Sequence, residues 1–459
     1  MKLKKLRKNN TTLLNSRRNF IKKTASFSTA MTFGGVLPIF SAKSYSQIKG
    51  ANDRINVCVM GVNSRGNALA QNFAIQNNCD VIHVCDVDTR AITKCLISLK
   101  DKQSFTAKSF GDFRKSLESK DLDAMVIAAP DHWHAPASLL SMQAGKHVYV
   151  EKPCSHNPNE GEILIEAAQR YGKIIQMGNQ RRSWPNVIEG INALKNGAIG
   201  RVYYGKGWYA NNRESIGIGK YTVVPDWLNW DLWQGPAPRK NYKDNLIHYN
   251  WHWHWHWGTG EALNNGTHMI DLLRWGMGVD YPTKVSSSGG RFRYNDDWET
   301  PDTQIINLDF AENLSMTWEG RSCNGKHEEG SSVGVIFYGE KGSILMNGGD
   351  DYTVFDLKNK IVKAVTSTTN IDPMNTVNPA QNLDVLHIRN MFNAIKNGDK
   401  LNADIDSGHK STLLMQLGNI AQQVGRSLDI NPENGHITND REANKLWQRS
   451  YEKGWEMKL

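Results

Sequence analysis

The stretch INVCVMGVNSRGNA, Ile55 to Ala68, decides how this chain is read. Its first six residues are mostly apolar and carry no charge, as a strand buried on both faces requires. Gly61 then marks a strand-to-helix turn, and Gly66 falls inside the helix that opens after it. Outward from this unit the pattern repeats. VIHVCDVD (81–88), DAMVIAAP (123–130), HVYVEKP (147–153) and KIIQMGNQ (173–180) are short apolar runs with helical stretches between them. Strands alternating with helices predict an α/β fold with a parallel, doubly wound Rossmann sheet.

Past Gln180 the style changes. Trp, Tyr, Gly and Pro crowd positions 203–258, and from Lys284 to Val365 runs such as TQIINLDF, LSMTWEG and VGVIFYG are separated by turn residues. These predict an α+β domain with an open, mainly antiparallel sheet, followed by two helices over Asp384–Leu428. A chain of 459 residues exceeds what one core usually supports. The expected division is a leader at 1–48, a dinucleotide-binding domain at 52–178 and a substrate domain at 179–459.

The turn after the first strand carries the first chemistry. Backbone N–H groups where Gly61 leads into the helix can hold a pyrophosphate, although Asn63 stands where the middle glycine of G-x-G-x-x-G would be. Asp86 closes the second run twenty residues past Gly66. A carboxylate there accepts hydrogen bonds from a ribose diol and repels a 2′-phosphate, which favours NAD over NADP.

These pieces, together with AAPDHWHA (128–135), GKHVYVEKP (145–153), MGNQRR (177–182), GTGEALNNGTHMIDLLRWG (258–276) and NADIDSGHKS (402–411), resemble the glucose-fructose oxidoreductase, inositol dehydrogenase and rhizopine-catabolism family, Gfo/Idh/MocA. The resemblance spans nearly the whole chain beyond the leader. It implies that Ser64, Arg65, Asp131, His134, Glu151 and Asn179 join Gly61, Gly66 and Asp86 around NAD. It places Lys152 of the EKP motif beside the nicotinamide, on the reacting hydroxyl, and His268 at the reacting carbon, where an imidazole can take the proton as hydride leaves. One departure stands out: Asn264 occupies a position where many family dehydrogenases carry aspartate, and an amide cannot accept a proton. Either Lys152 and His268 share the proton transfer, or the chain belongs to a branch with other chemistry, with Glu261 as a candidate substitute acid.

The run WHWHWHW, Trp251 to Trp257, would put His252, His254 and His256 on one face of an extended strand. No Asp or Cys ligand stands nearby in the sequence, so an aromatic wall for sugar rings is the better reading and no metal is expected. Tyr209, Arg213, Trp227 and Trp255 are the candidate substrate contacts.

The net charge of +9 is confined to the leader: eleven lysines and arginines and no acid lie in the first 49 residues, which leaves −2 on the rest. That balance argues against nucleic-acid binding. SRRNFIKK (16–23), ahead of a mildly apolar stretch to Phe40, resembles a twin-arginine export signal, so a periplasmic location without stable membrane insertion is expected. The six cysteines show no CxxC pair and are expected to be reduced and structural. The resulting expectation is an NAD-dependent oxidoreductase acting on a sugar or oligosaccharide hydroxyl, assembled as a homo-oligomer because exposed sheets in such second domains pair between subunits. Two alternatives stay open: an NAD-dependent glycosidase working by transient oxidation and elimination, and a non-catalytic nucleotide- or sugar-binding protein.

Overall fold

The structure, a computed structural model, describes residues 54–367, 372 and 375–459. The basic leader and its SRRNFIKK string lie outside the described residues. Asp53–Leu459 forms one compact unit, and among the described residues no helix is long and apolar enough to cross a membrane.

The first sheet holds β1 (Ile55–Met60), β2 (Cys79–Cys85), β3 (Lys108–Phe110), β4 (Ala124–Ile127), β5 (His147–Val150) and β6 (Ile175–Met177). All its pairings are parallel, in the order β3-β2-β1-β4-β5-β6. β4 is buried at every residue, because helices cover both faces of a doubly wound sheet and leave no solvent side for a polar residue. The strand order reverses at β1, and the loops leaving the carboxyl ends of β1 and β4 flank the crevice that such a reversal creates.

The second sheet is β7 (Val202–Ala210), β8 (Lys284–Gly290), β9 (Thr303–Phe310), β10 (Leu314–Arg321), β11 (Val333–Gly339), β12 (Gly342–Met346), β13 (Tyr352–Asp356), β14 (Ile361–Val365) and β15 (Leu428–Asp429), in the order β14-β13-β12-β11-β7-β10-β9-β8-β15. Only β7 and β10 pair in parallel. β7 is a central strand that the sequence hides among the tryptophans and tyrosines of 203–258. β9 shows why the sheet is open: Gln304, Ile306, Leu308 and Phe310 are buried while the alternating residues are not. Helices Gly266–Met277 and Ile405–Val424 cover the buried face through residues such as Met269, Leu273, Leu414 and Leu417.

The two expected domains share material. Ile388, Met391 and Phe392, from helix Val385–Asn397, complete the core of the parallel sheet, with Phe392 edge-on to Phe73 at 5.8 Å between ring centroids. All six cysteines are buried and free.

Candidate functional site

The carboxyl ends of the parallel strands open onto one cleft, and the helices covering the second sheet close its other side. At the first turn Gly61 has φ +81°, and a Cβ there would lie 2.6 Å from the carbonyl oxygen of Ala128 and the amide nitrogen of Ala129. Only glycine lets the turn lie flush against the end of β4. A Cβ at Gly66 would strike the carbonyl oxygen of Gly61, so both glycines serve the same tight turn. Ser64, at the N-cap of helix Arg65–Ala74, makes no side-chain cap, and Asn63, Ser64 and Arg65 line the cleft. Uncapped N–H groups at a helix start suit a pyrophosphate.

Asp86, half-buried at the end of β2, accepts the N–H of Val62 at 2.7 Å through Oδ2 and that of Asp88 at 2.9 Å through Oδ1. Burial pushes its carboxyl pKa up, against the pull of these two donors. Each carboxylate oxygen keeps a further acceptor site for a ribose hydroxyl. The carboxylate therefore ties two turns together as well as facing the cleft. Asp86→Ala should weaken NAD binding about tenfold or more and also loosen the first turn. Titration of nucleotide against the variant checks the first effect, and unchanged affinity would mean that another group reads the ribose.

Arg65, Asp131, His134 and Glu151 line the cleft as expected, and most of their polar atoms are already engaged by neighbouring groups. Arg65 lines the cleft, but its Nε meets Glu151 at 2.7 Å and its terminal nitrogens meet Asp384 at 2.6 and 2.9 Å, so its guanidinium is spent on buried carboxylates and not on a phosphate. The ring nitrogens of His134 lie 2.6 and 2.7 Å from the carbonyl oxygens of Pro153 and Ala129, which steadies the loop carrying Lys152. Asp131 accepts the Thr259 hydroxyl at 2.5 Å, and burial pushes its carboxyl up. Asn179 is buried outside the cleft lining, with both amide atoms unpartnered.

A second cluster in the cleft is built around Lys152. Its ammonium donates to the backbone carbonyl of Asn264 at 2.5 Å and to the side-chain Oδ1 of the same residue at 2.9 Å. An ammonium has three donors, so one N–H remains for a substrate oxygen. Burial lowers the Lys152 pKa, with Glu151 and Asp131 opposing that shift. His268 lines the same cleft from helix Gly266–Met277, its Nδ1 buried without a partner. Burial, reinforced by Arg181, Lys152 and Arg65, holds its pKa well below the ordinary imidazole value, so the ring is neutral and can accept a proton.

Asn264 is placed by Glu261, which is not a spare acid. The Glu261 carboxylate accepts Arg213 Nε at 2.8 Å, Ser322 Oγ at 3.0 Å, Asn265 Nδ2 at 2.5 Å and Asn264 Nδ2 at 3.3 Å. That last contact turns Oδ1 of Asn264 toward Lys152. An aspartate at 264 would set a second carboxylate against Glu261, which gives a physical reason for the amide. Arg213 also donates to the Tyr209 hydroxyl at 3.0 Å, and both residues line the cleft as expected.

Residues 55–179 match the family model described as the NAD-binding Rossmann fold of Gfo/Idh/MocA, and residues 212–457 match that of the oxidoreductase family's C-terminal alpha/beta domain. The chain belongs to the Gfo/Idh/MocA oxidoreductase family. It is 26% identical over 229 residues to a glycosyl hydrolase family 109 protein of Saccharopolyspora erythraea, covering 46% of this chain and 50% of that one. It is 30% identical over 179 residues to inositol 2-dehydrogenase of Rubrobacter xylanophilus, covering 39% and 50%. The chain thus spans about half the length of either relative. A levoglucosan dehydrogenase in complex with NADH and levoglucosan has the same fold, with TM-score 0.63 and 17% identity over 82% of this chain and 99% of that one.

This Gfo/Idh/MocA protein carries the family's NAD-binding Rossmann domain, and the glycine turn, the uncapped helix start and Asp86 fit NAD. Two expected sugar contacts of the family member lie elsewhere. Trp227 and Trp255 do not line the cleft: Trp227 lies under the guanidinium of Arg90 at 3.3 Å, and the backbone N–H of Trp255 donates to Glu299. The histidine run is no strand either. Asn250–Trp253 is a 3₁₀ turn, and the three rings go separate ways: His252 to the Tyr249 carbonyl at 2.7 Å, His254 to Glu299 at 3.2 Å and His256 to the Pro238 carbonyl at 2.7 Å. Trp253 stacks on Trp298, at 3.9 Å between centroids, which holds the run in this turn and out of a strand. The aromatic wall is instead Tyr249, Trp251 and His252, the last two stacked at 3.6 Å.

Proposed function

We propose that the protein oxidises a hydroxyl of a sugar or sugar derivative, or runs the reverse reduction, in carbohydrate or polysaccharide catabolism. The observation that carries this reading is the one N–H left on Lys152 in the same cleft as the neutral imidazole of His268. Lys152 hydrogen-bonds the reacting oxygen and stabilises its developing negative charge, while His268 takes the hydroxyl proton. Bound NAD supplies the hydride acceptor. Tyr249, Trp251 and His252 offer ring faces to the CH side of a pyranose.

A second reading, an NAD-dependent glycosidase using transient oxidation and elimination, is favoured by the glycosyl hydrolase family 109 relatives. It is also favoured by the acids of the cleft. Among the described residues lining it, Asp86 is engaged by backbone N–H groups, Asp112 by Arg114, Asp131 by Thr259 and Glu151 by Arg65. Two free carboxylates for direct acid/base hydrolysis are therefore missing from that lining, and glycoside cleavage would go through oxidation. Incubating the protein with free sugars and with aryl glycosides separates the readings. Net NADH with one equivalent of oxidised sugar supports the dehydrogenase, aglycone release without net NADH supports the glycosidase, and neither product defeats both.

We further propose export to the periplasm through the SRRNFIKK string. Lys at both Arg17 and Arg18 should leave the precursor in the cytoplasm, as fractionation would show. Undiminished export of that double variant would defeat the assignment.

A further inference from the structure

The turn that follows β6 has three of its four side chains anchored. The N–H of Gly178 donates to the Val150 carbonyl at 2.8 Å, which brings the chain out beside the end of β5, and the 3₁₀ turn Gln180–Ser183 comes next. Arg181 Nε donates to the Gly348 carbonyl at 2.9 Å, and Arg182 holds Asp271 with two nitrogens, at 2.8 and 2.7 Å. Ser183 Oγ lies 2.7 Å from Nδ1 of His387 and accepts Asn402 Nδ2 at 2.9 Å. Asp271 stands one helical turn after His268 on the same helix, so these anchors set the turn against the Lys152 and His268 end of the cleft.

Gln180 is the exception. It lines the cleft and is 1% exposed, yet among the described residues neither end of its amide has a hydrogen-bond partner. Burying an amide unpaired costs stability, and an apolar side chain of the same length would fill the space without that cost. A fixed backbone carrying an unspent amide has the form of a preorganised ligand contact. The surroundings say what kind of ligand fits. Glu151 is held by Arg65, Asp131 by Thr259 and Glu261 by Arg213, so this end of the cleft keeps no spare carboxylate for a cation. What it keeps is neutral: Asn211 and Asn265 spend amide N–H groups on the Tyr209 hydroxyl and on Glu261 and leave both side-chain oxygens unspent. Amide oxygens and nitrogens match hydroxyl groups, acceptor to donor and donor to acceptor.

We propose that Gln180 determines substrate specificity, its amide holding a hydroxyl of an uncharged sugar next to the hydroxyl that reacts. This role rests on the sugar reading above and holds for either reaction considered there.

The variant that tests it is Gln180→Met, with Gln180→Ala in its place if methionine overpacks the turn. Without substrate, Gln180→Met should unfold at a denaturant concentration equal to or above that of the wild type, because it removes an unpaired amide and no hydrogen bond. NAD affinity should stay within about twofold. On a sugar or glycoside that the wild type turns over, KM should rise about 10-fold with kcat within about threefold. In a series of monodeoxy analogues, the wild type should disfavour one of them about 10-fold in kcat/KM, while the variant treats it like the parent. An ammonium in place of that same hydroxyl should be tolerated no better than its loss. Unchanged KM with unchanged discrimination would overturn the role. So would a fall in NAD affinity with KM unmoved, which would assign the amide to the nicotinamide, and so would a wild-type preference for the amino analogue. A wild type that turns over no sugar or glycoside would instead remove the reading on which the role rests, and the role with it.

Discussion

Lys152→Ala should lower turnover by about 10²- to 10³-fold, and His268→Ala should do the same, with nucleotide affinity nearly unchanged in both. On the reading proposed above, Lys152 offers the substrate its single unspent N–H and His268 a neutral ring, so each removal takes away a group that acts on the reacting oxygen. The pH profile follows from the directions of the two shifts. His268 is charged only well below the ordinary value of about 6.5, so the acid limb of kcat/KM lies below that pH. Lys152 loses its proton below the ordinary value of about 10.4, so activity falls on the alkaline side as pH rises through that lowered value. Lys152→Arg, which keeps its charge at any accessible pH, should abolish the alkaline limb even where it costs rate. An unmoved limb in that variant would mean that another group titrates there.

The second large effect is expected at Glu261. Glu261→Ala leaves the Arg213 guanidinium largely buried without its carboxylate and should destabilise the protein by about 3–5 kcal/mol, measured by denaturant unfolding. Glu261→Gln keeps the shape but weakens the ion pair and lets the Asn264 amide turn, so it should lose turnover with a smaller loss of stability. It should also move the alkaline limb to lower pH, because Glu261 is one of the charges that hold the Lys152 proton on. A stability close to wild type in Glu261→Ala would show that Arg213 finds another partner.

The parallel sheet was legible in the sequence because its strands are short apolar runs bounded by glycine and acid, with little in the local pattern to compete. Gly61 and Asp86 were legible for the same reason, each standing where a strand ends, whereas Lys152 and His268 were singled out only by the resemblance of their motifs to the family's. What stayed hidden was set by partners distant in sequence. Arg65 was placed around NAD by the resemblance, and nothing nearby in sequence shows its partner Asp384, which lies 319 positions away. Glu261 looked like a spare acid because Arg213 and Ser322 reach it from other elements. The tryptophans of 227–257 looked like a sugar platform because composition carries no direction, and their rings pack into a cluster of Leu228, Trp230, Trp233, Tyr242 and Trp257. β7 was lost among tyrosines and glycines because its alternation is masked by aromatic residues on both faces.

If hydride leaves a sugar carbon for NAD while Lys152 and His268 handle the oxygen, a single turnover shows it most plainly. NAD-loaded protein is mixed with each member of a panel of sugars and glycosides, and NADH absorbance is followed in time. NADH absorbance is expected with at least one ligand that the protein turns over, lasting in a dehydrogenase and transient in a glycosidase, and strongly slowed in Lys152→Ala and His268→Ala. A ligand converted to product at the wild-type rate with no NADH absorbance at any time, in the wild type or in slowed variants, would contradict it.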